Sequence, residues 1–457
     1  MADDLLDLPA ADLVRALSDR RCSAVEVAQA AIARIEARDA TINAVVVRGF
    51  ERGLDAAREA DAALARGERR PLLGVPMTVK ESHNVAGLPT TWGIEHFRGS
   101  VATEDSVGAA RLKGAGAVIL GKTNVPIGLG DWQSANPIYG RTVNPWDPAR
   151  SPGGSSGGGA AALAARMVPL EFGSDIGGSI RVPAAFCGVY GHKPSYALVP
   201  VRGHAPPGAN GAPPPMAVCG PMARTAGDLE LALRVLAGPD VPESTAYRLA
   251  LPPPRHARLS DYRVLILDND PRAAVDGEIA AAIGSLAERL SSLGASVARR
   301  DDALPDPGHT YDTYVRILMT VVTRGSGAQS MPAHDFLGLL DAQARIRRAW
   351  TSVFESHDVV IAPAFGSVAF PHDDEPDQEK RRLTINGKAE PFFPQAAWPG
   401  LASLPHLPST AVPIGQTRSG LPIGVQIVGP YLEDLTTIAF AGLIEREFGG
   451  FTPPPGY

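Results

Sequence analysis

Apolar residues recur at helical spacing from Ala24 to Arg38, and the run opens at Ser23 with Glu26 three positions on. That is the pairing in which each side chain caps the other's backbone, so a helix is predicted to start there. A shorter helical pattern precedes it and a polar helix follows. The next run, PLLGVPMTVK, is β-rich and ends at Lys80. A helix near Ser106 to Lys113, the strand AVIL, a long loop to Arg150 and an alanine-rich helix after SSGGG complete the first third. The pattern alternates α and β.

A loop rich in proline and glycine, roughly Arg202 to Pro215, comes after Lys193, and at this length it reads as a candidate lid. Thr225 at an N-cap and Asp228 three residues on open another helix. RVLIL, a helix from about Asp276 to Leu293, and SVARR form a further strand–helix–strand unit. Tyr311 to Phe354 reads as mostly helical, DVVIAPA as a short buried strand, and STAVPIG and LPIGVQIVG as two strands before a last helix to Glu447. No repeat and no low-complexity linker interrupts the chain. This organisation predicts one domain over residues 1–457, with a helical subregion at 300–355.

Composition narrows the function classes. The 457 residues are 44% hydrophobic and 20% charged, ordinary for a globular protein with a substantial core. Glycine (48) and proline (42) are abundant but scattered between periodic segments, which argues for many ordered tight loops. A formal charge of -6 and the lack of a long basic run argue against nucleic acid or an anionic membrane as partner. No apolar stretch approaches the roughly 20 residues of a membrane span. The opening MADDLLDLPAADL is acidic where a secretory signal would be basic and then apolar, so a cytoplasmic protein is expected. Cys22, Cys187 and Cys219 are widely spaced and show no CxxC, so they read as buried small residues outside any disulfide or zinc framework.

Two motifs mislead. GAVILGKT, residues 116–123, satisfies GxxxxGK[ST] with Lys122 and Thr123 in the phosphate and magnesium positions. Its middle is itself a strand, however, a helix precedes it, and Pro126 breaks the segment after it. SPGGSSGGG, residues 151–159, fits the GxSxG nucleophile elbow twice, but NPWDPARSP cannot be the apolar strand that an elbow must follow. None of the ten histidines sits in a motif that would single it out as a triad base.

A second cluster, GSDIGGSIRVPAAFCG, places Ser179 twenty-four residues after Ser155. Single aspartate, isoleucine and arginine residues break up its glycines, unlike a linker. A serine hydroxyl needs a base, and without a marked histidine a lysine serves if burial lowers its pKa. Lys80, at the end of an apolar β-run, is such a lysine. Glycines before Ser179 free successive N–H groups to converge on one point, as an oxyanion site requires.

Lys80 within GVPMTVKE, SPGGSSGG at 151–158 and GSDIGGSIRVPAAFCGVYGHKPS at 173–195 together resemble the amidase signature family of serine hydrolases. GKTNVP, NPWDPARSPGGSSGG and the closing GLPIGVQIVGP extend the resemblance, in matching order, over most of the chain. It implies an α/β fold with a large mixed, twisted sheet covered by helices on both faces. It also implies a Ser–cis-Ser–Lys triad: Ser179 as the acylated nucleophile, Ser155 as the bridging serine after a cis peptide bond, and Lys80 as base. The N–H groups of Ile176, Gly177, Gly178 and Ser179 would hold the oxyanion. Ser156, Ser174, Asp175 and Arg181 would support the network, and Leu129, Gly130, Asp131 and Trp132 would contact substrate. No metal or cofactor is required.

The expected reaction is hydrolysis of a small-molecule carboxylic amide to acid and amine or ammonia, by a monomer or homodimer. Carbamates (urethanes), aryl amides and esters are alternatives open to the same relay. A glutaminase subunit of a tRNA-dependent amidotransferase is a further one. There the lysine-proline step typically leads into Tyr-Gly-Arg-Val-Ser, whereas this chain has SYALVPVRGHAPPG.

Overall fold

The computed structural model describes residues 5–324 and 330–457. The helical reading of 300–355 therefore crosses five residues, 325–329, that lie outside the described residues, as do residues 1–4 of the acidic opening. One sheet of eleven strands organises the rest. In spatial order it runs Val45–Arg48, Val118–Thr123, Pro76–Lys80, Leu170–Asp175, Val218–Ala223, Tyr190–Lys193, Ser409–Gln416, Pro422–Val428, Val359–Pro363, Arg263–Ile266 and Ser296–Ala298. Parallel and antiparallel neighbours mix, and α-helices alternate with the strands.

Three parallel strands position the chemistry. Pro76–Lys80 lies between Val118–Thr123 and Leu170–Asp175, parallel to both, and all three are buried along their whole length. Strands covered on both faces need continuous apolar runs, and parallel neighbours need crossover connections. The chain supplies them with helix Val107–Gly114, capped by Ser106, and helix Gly157–Ala164. Lys80 and Asp175 are the last residues of their strands. Both therefore sit at the carboxyl end, where open α/β sheets place their ligands.

The phosphate-loop lookalike is absorbed into this sheet. Lys122 is buried in the strand and donates to Pro89 O and, at 2.8 Å, to Thr90 Oγ1. Thr123 Oγ1 donates to Glu171 at 2.8 Å. Neither side chain is left to meet a phosphate.

Helix starts follow the capping residues. Ser23 and Glu26 cap each other's backbone at 3.1 and 2.8 Å. Thr225 Oγ1 accepts from Asp228 N at 3.1 Å. The Asp228 carboxylate turns elsewhere and accepts from Ala10 and Ala11 at 2.8 and 3.0 Å, capping helix Ala10–Ser18 from 217 residues away. Cys187 and Cys219 are buried as expected; Cys22 is only partly buried, which corrects that reading.

The four-residue strands Val45–Arg48 and Tyr190–Lys193 and the small hairpin Arg382–Ile385 with Lys388–Pro391 escape the sequence pattern. Among the described residues two large apolar bodies draw on the strands of the sheet, beside a small third around Trp398. One is aliphatic and alanine-rich; the other is aromatic, built on Trp132, Phe186, Tyr314, Trp350, Phe365 and Phe392. Among the described residues no helix is long and apolar enough to cross a membrane.

Candidate active site

Lys80 Nζ lies 2.7 Å from Ser155 Oγ and 2.9 Å from Ser174 Oγ, with Ser174 O at 3.5 Å. The lysine is wholly buried, and burial is the main reason its pKa falls from 10.5 to about 7; Cys219, Asp175 and Glu171 pull in the opposite direction. Glu171 offers little opposing charge, because its own burial raises its pKa to about 8 despite hydrogen bonds from Thr78 and Thr123. A lysine with a pKa near 7 has a substantial neutral fraction at neutral pH. A neutral amine carries two N–H donors and one lone pair. Ser174 takes a donor, and the short contact to Ser155 then runs from the serine O–H to nitrogen.

Ser155 follows a cis peptide bond, Gly154–Ser155. The segment 131–133 packs directly against it: a Cβ at Gly154 would collide with Gln133 O and Asp131 O, so only glycine fits there. Ser156 N donates to Ser179 O at 3.0 Å, tying the loop of the first serine cluster to the second. Ser156 Oγ meets the backbone of Ser174, donating to its carbonyl at 3.3 Å and accepting from its N–H at 3.4 Å. Of the three expected triad positions Ser179 is the most exposed, at 7% against 1% for Ser155 and 0% for Lys80. A group that must meet substrate needs that access.

Asp175 anchors the Ser179 turn. Its carboxylate accepts from Gly178 N and Ile180 N, both at 3.0 Å, and pairs through both oxygens with Arg181 at 2.9 and 3.1 Å. Burial works against that charge, but the Arg181 guanidinium, Lys193 and the Ile180 N–H together outweigh it and hold the Asp175 pKa at about 2. Arg181 continues outward to Gln426 Oε1 at 2.7 Å, Ser403 Oγ at 2.8 Å and Pro399 O at 3.0 Å. Gly178, at φ 91°, supplies the left-handed residue of the turn.

The four expected oxyanion donors divide. Gly178 N–H is engaged by Asp175, while among the described residues Ile176, Gly177 and Ser179 keep N–H groups without a protein acceptor. Two side chains pin the carbonyls of this loop: Tyr314 OH donates to Ile176 O at 3.1 Å and Trp132 Nε1 to Gly177 O at 2.8 Å. In a trans peptide the C=O and the next N–H point in opposite directions. Holding Ile176 O therefore aims Gly177 N–H, and holding Gly177 O aims Gly178 N–H at Asp175. Tyr314 carries no motif in its neighbourhood, and nothing in the sequence marks it for this place.

The four substrate-contact positions also separate. Trp132 is buried, reaches the Ser179 loop and packs on Phe365 and Phe392 at ring distances of 5.0 and 5.1 Å. Asp131 forms an ion pair with Arg381 at 2.7 Å, and the Arg381 guanidinium lies over the Phe392 ring at the edge of that aromatic cluster. Gly130 is exposed, its carbonyl accepting from Gln378 Nε2 at 2.6 Å, and Leu129 is partly buried. Among the described residues no hydrogen bond joins either of them to Lys80, Ser155 or Ser179.

Comparison with known proteins bears on the family and the fold. The family model described as Amidase matches residues 26–325 and 322–438. A glutamyl-tRNA(Gln) amidotransferase component from Anaeromyxobacter sp. (strain K) is 32% identical, over 95% of this chain and 94% of its own length. Fatty-acid amide hydrolase 2 of Homo sapiens is 31% identical, over 99% and 91%. Among solved structures, a bacterial aryl acylamidase of the amidase signature enzymes superposes with a TM-score of 0.81 at 28% identity, covering 96% of each chain.

Proposed function

This chain belongs to the amidase (amidase signature) family, and from that premise we propose that it hydrolyses a small-molecule carboxylic amide through an acyl intermediate on Ser179. The observation that carries the proposal is the 2.7 Å contact between Ser155 Oγ and a buried Lys80 whose pKa is about 7. In this reading neutral Lys80 accepts the Ser155 proton while Ser155 takes the proton of Ser179. The freed Ser179 oxygen attacks the carbonyl carbon, and the N–H groups of Ile176, Gly177 and Ser179 receive the negative charge that develops on the carbonyl oxygen. The relay then runs backwards, Lys80 returning its proton through Ser155 to the departing nitrogen. Water repeats the cycle on the ester of Ser179, releasing the acid.

The aromatic body behind Trp132 supports an apolar or aryl acyl or amine group as substrate, in line with the aryl acylamidase likeness. Esters differ from amides in the leaving atom, carbamates in the oxygen borne by the acyl carbon, and both fit the same relay. The second reading, a glutaminase working inside an amidotransferase, is favoured by the amidotransferase relatives. The two separate in one experiment. The purified chain alone is assayed on a chromogenic anilide and on glutamine. Anilide turnover that disappears in Ser179→Ala supports the amidase reading. Silence on both substrates, with ammonia release from glutamine only when amidotransferase partner proteins are added, supports the other.

A further inference from the structure

Close to Lys80 stands a group of side chains that the relay does not use. His83, His204 and Cys219 each bring one potential ligand atom, and these atoms lie within 4.8 Å of one another. Tetrahedral zinc, with bonds of about 2.0–2.3 Å, holds its ligand atoms roughly 3.3–3.8 Å apart, so about 1 Å of closure brings these three to tetrahedral spacing, with the fourth position taken by water. His83 is fully buried and its Nδ1 has no hydrogen-bond partner. Its Nε2 lies 3.2 Å from Gly173 O, which can only accept, so Nε2 carries the proton and Nδ1 presents a bare lone pair. A ring N–H anchored on a backbone carbonyl is how proteins orient a metal-binding histidine.

The surroundings favour a soft or borderline cation over a hard one. No carboxylate is among the ligand atoms, which are imidazole nitrogen and thiol sulfur, the set that selects zinc-like ions. Phe172 stacks on His83 at 4.1 Å and Trp92 flanks His204 at 5.0 Å, walling the group from bulk water. His204 itself is only partly buried, which leaves an entry path from the Arg202–Pro215 loop.

We propose that His83, His204 and Cys219 bind a divalent cation of the zinc class and that its binding inhibits the enzyme. Binding removes the Cys219 thiol proton to solvent, so a dication and a thiolate leave one net positive charge. Cys219 pairs across the sheet with Ser174, which holds Lys80, and Lys80 senses the charge on both Cys219 and His204. A base that becomes cationic on taking the serine proton is opposed by a cation at that distance. The same ion would fasten the Arg202–Pro215 loop to the sheet beneath it, because His204 belongs to the loop and Cys219 to a strand.

The inhibitory half rests on the amidase reading; the binding half does not, and the test keeps them apart. Chelator-treated protein is titrated with Co²⁺ and followed by absorption, which needs no turnover. The expected result is one tetrahedral Co²⁺ per chain with a thiolate-to-cobalt charge-transfer band. The band is lost in Cys219→Ala and in His83→Gln but retained in Cys187→Ala and Cys22→Ala. Zn²⁺ then displaces Co²⁺ and lowers anilide turnover by about tenfold or more in the parent chain and less than about twofold in Cys219→Ala. A folded parent chain that shows no thiolate band at millimolar Co²⁺, or a band that survives Cys219→Ala, overturns the site. Binding without loss of turnover, or inhibition that persists in Cys219→Ala, overturns the inhibition.

Discussion

Lys80 concentrates the account at the scale of single residues. Its ammonium form has no lone pair, so kcat/KM should rise with pH through about 7 and level off above it. A profile flat between about pH 5.5 and 8.5 on a substrate with non-limiting binding would contradict a lysine base. The same group makes a stability prediction. Between about 7 and its ordinary 10.5 the unfolded chain holds a proton that the folded chain has released. Stability therefore rises with pH across that window, and below it the full cost of burying the amine is present. That cost is roughly 5 kcal/mol, against roughly 1 kcal/mol for each partner, Ser155 and Ser174, left behind by an apolar replacement. Lys80→Met should abolish turnover and raise the melting temperature at pH 7; a lower melting temperature would count against the burial argument. Tyr314→Phe removes only the donor to Ile176 O. With Gly177 N–H less firmly aimed, kcat should drop about tenfold with KM little changed, short of the loss that follows from deleting an oxyanion donor outright.

Elements explain why some of this was legible in the sequence and some was not. Capped helices read well because the cap and the apolar stripe occupy one window: Ser23 with Glu26 and Thr225 with Asp228 suffice. The glycine-serine clusters and Lys80 read well because glycine-only positions, such as Gly154 against two carbonyls and Gly178 at positive φ, leave their mark in the chain itself. Short buried strands such as Tyr190–Lys193 show no period because both faces are covered. Side chains that arrive from a distant element carry no local signal. Asp228 caps a helix at residue 10, and Tyr314 reaches a loop at residue 176, only because the fold brings them together. Arg181 shows what such stitching contributes. It joins the Ser179 turn to helix Ala397–Ser403 and strand Pro422–Val428 through a buried pair with Asp175. Arg181→Met leaves that carboxylate buried and unpaired, so denaturant unfolding should show a loss of about 3–5 kcal/mol. Asp175 contributes stability above its ordinary 3.8 that is lost as pH falls through about 2. The variant should lack that acid dependence.

At the scale of the molecule, one sheet gathers a site from residues 80, 155, 174 and 179, none of them adjacent in sequence. Parallel strands around Pro76–Lys80 bring their carboxyl ends together, and the loops flanking helix Gly157–Ala164 and strand Leu170–Asp175 bring in the serines. The eleven strands span from residue 45 to residue 428, which supports our reading of the chain as a single folding unit. The aromatic body that we propose to meet substrate is also assembled at this scale, since Trp132, Phe365, Phe392 and Tyr314 come from four separate segments. Composition carries no trace of that meeting. The central claim, that Ser179 is acylated while Ser155 only relays protons, is tested most directly by covalent labelling. The purified chain is treated with a fluorophosphonate, and the modified residue is located by peptide mass spectrometry. One adduct is expected, on Ser179, lost in Ser179→Ala and formed far more slowly in Lys80→Met; an adduct on Ser155, or undiminished labelling of Ser179→Ala, would contradict the assignment.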